Sequence, residues 1–147
     1  MAYRIRRATP QDLSLLFRLE ADCFSDPWGE AALSSHLTSP SGLAYVAEGE
    51  EGLPYGYLLG LSLGVEGELL RVGVLPPYRR CGAGNALLAE LSAALREGGA
   101  EACFLEVREG NTAARALYEK HGFSVVGRRK QYYKNPCEDA LVMSCRL

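Results

Sequence analysis

The chain has 147 residues, 48% of them apolar, and a formal charge of -2 at neutral pH. That length supports a single domain spanning residues 1–147 and is too short for two cores. The charge balance argues against nucleic acid as a direct partner, because domains that bind it carry a basic excess.

The amino end, Met1-Ala2-Tyr3-Arg4-Ile5-Arg6-Arg7, is charged and lacks the apolar run of a signal peptide or a membrane span. A cytoplasmic protein without membrane contact is the expectation. Cys23, Cys81, Cys103, Cys137 and Cys145 are odd in number, widely separated and free of any Cys-x-x-Cys pair, so they read as thiols. His36 and His121 stand apart from each other and from any cysteine cluster, and no metal site is expected.

Tyr3 to Arg6 reads as a short strand. Thr9-Pro10-Gln11-Asp12 then carries a helix start, with Thr9 as N-cap, Pro10 at the first helical position and Asp12 three residues after the cap. Leu13, Leu16, Phe17 and Glu20 follow on one face. Phe24-Ser25-Asp26-Pro27-Trp28 repeats that logic and predicts a second helix opened by Pro27 and ending near Leu37. Leu43 to Glu48, Tyr55 to Leu63 and Glu68 to Val74 read as an antiparallel meander, its first turn carried by Gly49-Glu50-Glu51-Gly52-Leu53-Pro54. Glu101 to Val107 is strand again. Asn111 to His121 is helical, with Asn111 as N-cap and Gly122 as the stop; Phe123 to Arg129 and Leu141 to Arg146 close the chain as strands. This order predicts an α/β protein with a mixed sheet covered by helices on both faces.

The most informative stretch runs from Arg71 to Leu88. Pro76 and Pro77 end the apolar strand near Leu75, and Leu87, Leu88, Leu91 and Leu95 fall on one face of a helix that begins around Gly82 and stops at Gly98-Gly99. Gly82 and Gly84 strip side chains from the first turn, exposing backbone N–H groups that lack intrahelical partners. Together with the helix dipole and with Arg79 and Arg80, they suit an anionic ligand such as a pyrophosphate. The motif is neither a Walker loop nor a complete dinucleotide fingerprint. Gly73, inside the strand, marks a bulge or a close backbone approach.

Arg-x-x-Gly-x-Gly after an apolar strand resembles the acetyl-coenzyme A loop of the GCN5-related N-acetyltransferase (GNAT) superfamily. Leu105 to Phe123 is similar to that family's second block. Phe24 to Trp28, Tyr132-Tyr133 and Glu138 to Met143 resemble its ribosomal-protein-alanine N-acetyltransferase subgroup. The resemblance implies a GNAT fold, with a mostly antiparallel central sheet and one parallel strand pair that splays to admit the pantetheine arm of acetyl-coenzyme A. It implies an acyltransferase whose protein partner is the N-terminus of a ribosomal small-subunit protein. Cofactor contacts are expected from Val72, Gly73, Val74, Arg79, Arg80, Cys81, Gly82, Ala83, Gly84, Asn85 and Asn111.

Acetyl transfer from a thioester needs an unprotonated amine, a stabilised oxyanion and a protonated leaving thiolate. Strand alternation puts Glu106 on the face of Phe104 and Arg108, either as a solvated carboxylate or, as the resemblance implies, as the proton acceptor. The amides of Val72 to Val74 are candidates for the oxyanion. Tyr118 shares a helical stripe with Ala114, Leu117 and His121; it is a core aromatic or, from the resemblance, the proton donor. Asn111 caps its helix, and the resemblance adds a cofactor contact. Phe24 and Trp28 either plug the helix junction or line the acceptor groove, and alternation allows at most one of Tyr132 and Tyr133 to face that groove. Two positions depart from the subgroup pattern: Leu75 stands where an acidic residue is common, and Asn85 where a basic one is. Two other readings stay open at this point: a broader lysine or small-amine acetyltransferase, and a non-catalytic acyl-coenzyme A-binding module.

Overall fold

The computed structural model describes residues 3–147. Among the described residues seven strands form one sheet: β1 (Tyr3–Arg7), β2 (Gly42–Gly49), β3 (Pro54–Leu63), β4 (Glu66–Val74), β5 (Ala102–Arg108), β6 (Ser124–Tyr133) and β7 (Glu138–Arg146). Their spatial order is β1-β2-β3-β4-β5-β7-β6, antiparallel everywhere except between β4 and β5. Four α-helices, α1 (Leu13–Cys23), α2 (Glu30–Thr38), α3 (Ala83–Glu97) and α4 (Thr112–Lys120), cover it. No helix among the described residues is long and apolar enough to cross a membrane.

Alternation along the strands divides the core into two layers, one on each face of the single sheet. On β2, Leu43, Tyr45 and Ala47 join the cluster beneath α3, whereas Ala44 and Val46 join the one beneath α1 and α2. Leu87, Leu88, Leu91 and Leu95 are all buried, as their helical spacing requires. Leu16 and Leu19 of α1 and Leu33 of α2 fill the opposite side. Each such leucine contributes roughly 1.5 to 3 kcal/mol on burial.

The first helix start is built as a capping box: the Thr9 amide donates to Asp12 at 2.8 Å and the Gln11 amide to the Thr9 hydroxyl at 3.3 Å. Arg6 clamps the same Asp12 and holds its carboxyl below the usual range, and residues 10–12 form a 3₁₀ turn before α1 begins. The second start differs from expectation. Pro27 does not open α2; the helix begins at Glu30 with Gly29 as N-cap, because the Trp28 amide is taken by a side chain from α1. Residues 24–29 therefore remain an irregular loop.

The parallel pairing of β4 with β5 lasts only from Glu66 opposite Ala102 to Leu69 opposite Leu105. Beyond it the two strands diverge, leaving Leu70 to Val74 and Glu106 to Arg108 facing a gap. The register against β3 skips Leu70, so the extra residue that bends β4 sits there and not at Gly73. Gly73 marks the other alternative, a close approach: a Cβ would lie 2.8 Å from the Tyr57 ring and 3.0 Å from Cys23.

Candidate active site

The cofactor side starts where β4 ends. Pro76 to Tyr78 make a single 3₁₀ turn, and Gly82 precedes α3 with φ of +90°, a conformation that costs an L-residue roughly 1 to 2 kcal/mol. The first intrahelical bond runs from the Ala86 amide to the Gly82 carbonyl, and no side chain caps the helix. The amides of Ala83, Gly84 and Asn85 are therefore left without intrahelical partners, and they point along the positive end of a 15-residue helix. That cradle fits a pyrophosphate.

Around it, the exposed Arg79 donates from Nε to the Val74 carbonyl at 3.0 Å, and Arg80 adopts φ of +67°. The Cys81 thiol donates to the Tyr78 carbonyl. The Asn85 side chain meets His121 Nε2 at 2.8 Å, which ties the start of α3 to the end of α4. Asn111 accepts from the Ala114 amide at 3.2 Å, the cap its position predicted.

Backbone direction decides which β4 amides face the gap. The Leu75 amide donates to the Tyr55 carbonyl on β3. Alternation then turns Gly73 toward β3 as well, and Val72 and Val74 toward the gap. The bond from Arg79 to the Val74 carbonyl agrees, since that carbonyl also points away from β3. Of the three amides expected at the oxyanion, Gly73's is thus turned the wrong way.

Glu106 and Tyr118 lie on opposite faces of the sheet. Cys103, Leu105 and Val107 of β5 enter the core beneath α3, and Tyr118 packs in that core against Phe123. Glu106 points to the other side, where α1 and α2 do not cover β5. The two meet only through the gap. Burial pushes the Tyr118 hydroxyl up to about 12, with Tyr133 adding to the rise and Arg71 opposing it. A phenol so perturbed stays protonated at neutral pH.

The Glu106 carboxylate is partly buried. Arg129 Nε lies 2.5 Å from Oε2 but misaligned, leaving that oxygen without a well-formed hydrogen bond, while the Tyr132 hydroxyl is 3.5 Å from Oε1. Glu68, on the neighbouring β4, has its carboxyl raised by burial and then by the Glu106 charge.

Tyr132 links Glu106 to a cavity of about 500 Å³, with Ser25 and Asp26 on one wall and Arg108, Tyr132, Tyr133 and Lys134 on the other. Tyr132 and Tyr133 lie inside β6 and not between strands, and both line the cavity. A register break between Arg129 and Tyr133, with Gln131 at φ of +50°, interrupts the alternation that would have separated them. Arg108 stacks on the Tyr133 ring at 4.4 Å and holds the β6–β7 turn through the carbonyls of Lys134 and Pro136. Phe24 and Trp28 pack against the α1–α2 core, Trp28 edge-on to His36 at 5.8 Å, and it is the intervening Ser25 and Asp26 that face the cavity.

Apart from Phe24 and Trp28, the sequence-selected residues thus fall into two groups around the gap, and neither group includes Asp26, Arg108, Arg71 or Glu20. For Glu20 there was a signal: a carboxylate on the apolar stripe of α1 must find partners or not be buried.

The chain belongs to the acetyltransferase (GNAT) family, whose model matches residues 13–123. It is an N-acetyltransferase by that membership and by its relatives. It is 34% identical over 139 residues to the [ribosomal protein bS18]-alanine N-acetyltransferase of Haemophilus influenzae, covering 92% of this chain and 93% of the relative. It is 39% identical over 141 residues to the N-alpha-acetyltransferase RimI of Mycobacterium tuberculosis, covering 92% and 87%. The crystal structure of the ribosomal-protein-S18-alanine N-acetyltransferase from Escherichia coli superposes with a TM-score of 0.91 at 29% identity, over 99% of this chain and 94% of that one.

Proposed function

We propose that the protein transfers acetyl from acetyl-coenzyme A to the N-terminal alanine of a ribosomal small-subunit protein, in the cytoplasm, by direct attack of the amine on the thioester. The observation that carries this reading is the gap between β4 and β5. It offers Glu106 on one face, Tyr118 on the other and two free amides between.

Bound acetyl-coenzyme A supplies an acyl carbon activated as a thioester. Ala83, Gly84 and Asn85 hold its phosphates through their amides, with Arg79 and Arg80 adding charge. The amides of Val72 and Val74 stabilise negative charge on the thioester oxygen. Glu106, with a water, takes the proton the amine loses as the C–N bond forms. Tyr118 gives its proton to the sulfur as the C–S bond breaks. An α-amino group, with a pKa of roughly 7.7 to 8.0 against about 10.4 for lysine, is deprotonated at small cost near neutrality. The names of relatives at 32 and 34% identity over most of the chain support the ribosomal acceptor, and that of the relative at 39% supports an α-amine.

Mass spectrometry of a peptide panel tests this. Incubation with acetyl-coenzyme A should acetylate a peptide beginning Ala-Arg at its α-amine, and leave N-terminally blocked lysine peptides and polyamines unmodified. Acetyl found on the lysine peptide alone would overturn the assignment in favour of side-chain acetylation.

A further inference from the structure

One side chain in the α1–α2 core has no part in the chemistry above. Glu20 of α1 is fully buried, and both its oxygens are occupied. Oε1 accepts from the Trp28 amide at 2.7 Å and from Arg71 Nη2 at 3.0 Å; Oε2 accepts from Arg71 Nε at 3.2 Å and from the Tyr57 hydroxyl. Arg71 reaches further. Its Nη2 also donates to the Asp26 carbonyl at 2.7 Å, and its guanidinium lies 3.9 Å from the centre of the Phe24 ring.

These contacts put three anchors on the irregular loop between α1 and α2: the Phe24 ring, the Asp26 carbonyl and the Trp28 amide. All three run to the same two side chains. The loop has no helix or strand of its own to fix it, yet Ser25 and Asp26 form one wall of the cavity. Arg71 is the residue before Val72, whose amide faces the gap, and its charge is felt at the Tyr118 hydroxyl. The pair therefore spans from the acceptor wall to the strand that would hold the thioester.

We infer that Glu20 and Arg71 form a positioning unit that sets the distance between the acceptor wall and β4, so that acceptor binding depends on the pair while cofactor binding does not. This rests on the proposed acetyl transfer to a peptide amine. A guanidinium is suited to the task, because its planar fork bonds a carboxylate and a carbonyl at once while its face stacks on an aromatic ring. A lysine can do one of these at a time. Tyr57 supports Glu20 from β3 through its hydroxyl, which donates to Glu20 and not to the loop, and this makes its removal a built-in control.

The test compares Arg71→Gln, Arg71→Lys and Tyr57→Phe in the full chain. Arg71→Gln should raise KM for the Ala-Arg peptide about tenfold, as a wall displaced by a fraction of an ångström would, while calorimetric affinity for acetyl-coenzyme A stays within about twofold. Arg71→Lys should recover part of the loss. Tyr57→Phe should lower the melting temperature and leave the peptide KM alone. Trp28 is the only tryptophan, so its emission reports on the loop without any acceptor: it should shift to the red in Arg71→Gln and not in Tyr57→Phe. An unshifted emission with an unchanged peptide KM would overturn the inference, as would Tyr57→Phe raising that KM as much as Arg71→Gln does. If wild type acetylates no peptide, the proposed acceptor fails while the emission still decides the role of the pair.

Discussion

The two halves of the site are built from different materials. The proposed cofactor half is mainly backbone: unpaired amides at the start of α3 and along the free edge of β4, exposed by Gly82 and by a bulge at Leu70, with Arg79 and Arg80 beside them. The proposed acceptor half is side chains: Asp26, Arg108 and two tyrosines, with Glu106 beside Tyr132, drawn from β5, the α1–α2 loop and β6. A backbone cradle recognises phosphates that every acyl-coenzyme A carries. A side-chain wall can be retuned one residue at a time. Substitutions should therefore separate the two halves cleanly.

The largest effect belongs to the proposed base. Glu106→Gln keeps the shape of the side chain and removes its capacity to accept a proton, so turnover should fall about 10² to 10⁴-fold, the range for a lost general base. Cofactor affinity should not follow, and steady-state kinetics set beside calorimetry would show the split. Tyr118→Phe should also act on kcat more than on either KM, by a smaller factor, since water can protonate a thiolate.

On the other half, Gly82→Val forces a β-branched side chain into the left-handed region, a strain of about 1 to 2 kcal/mol or more, and should raise KM for acetyl-coenzyme A about tenfold. Peptide KM should hold. A rise in both would mean that the two halves are not separable.

The smallest effect is on stability and concerns pH. The Tyr118 pKa is near 12 in the folded chain and about 10 when unfolded, so the folded state keeps a proton that the unfolded state has lost. The stabilisation is present below pH 10 and disappears as pH rises toward 12, amounting to at most about 2 to 3 kcal/mol. Thermal melts from pH 9 to 12 should show a shallower loss for Tyr118→Phe than for wild type. Tyr133, also raised to about 12 mainly by burial, leaves part of the slope in place.

The same contrast explains what the sequence disclosed. Pro76, Pro77, Gly82 and Gly84 declare a strand end, a turn and a bare helix start through local stereochemistry, and Asn111 declares its cap in the same way. The divergence of β4 from β5 was expected only from family resemblance, and Gly73, legible as either a bulge or a close approach, shows why. A glycine signals that a side chain is forbidden without saying whether the obstacle is a ligand or, as here, Cys23 and Tyr57. The acceptor wall was legible only in part, because its members meet across long separations. Nothing local tells that Glu20 will take the Trp28 amide and delay α2 to Glu30, or that Gln131 will leave the strand alternation and let Tyr132 and Tyr133 share a cavity.

The separation of the halves is tested most directly by calorimetric titration of acetyl-coenzyme A into wild type, Glu106→Gln and Gly82→Val. The account predicts equal affinity for the first two and clearly weaker binding by the third. Weakened binding by Glu106→Gln with full binding by Gly82→Val would contradict it.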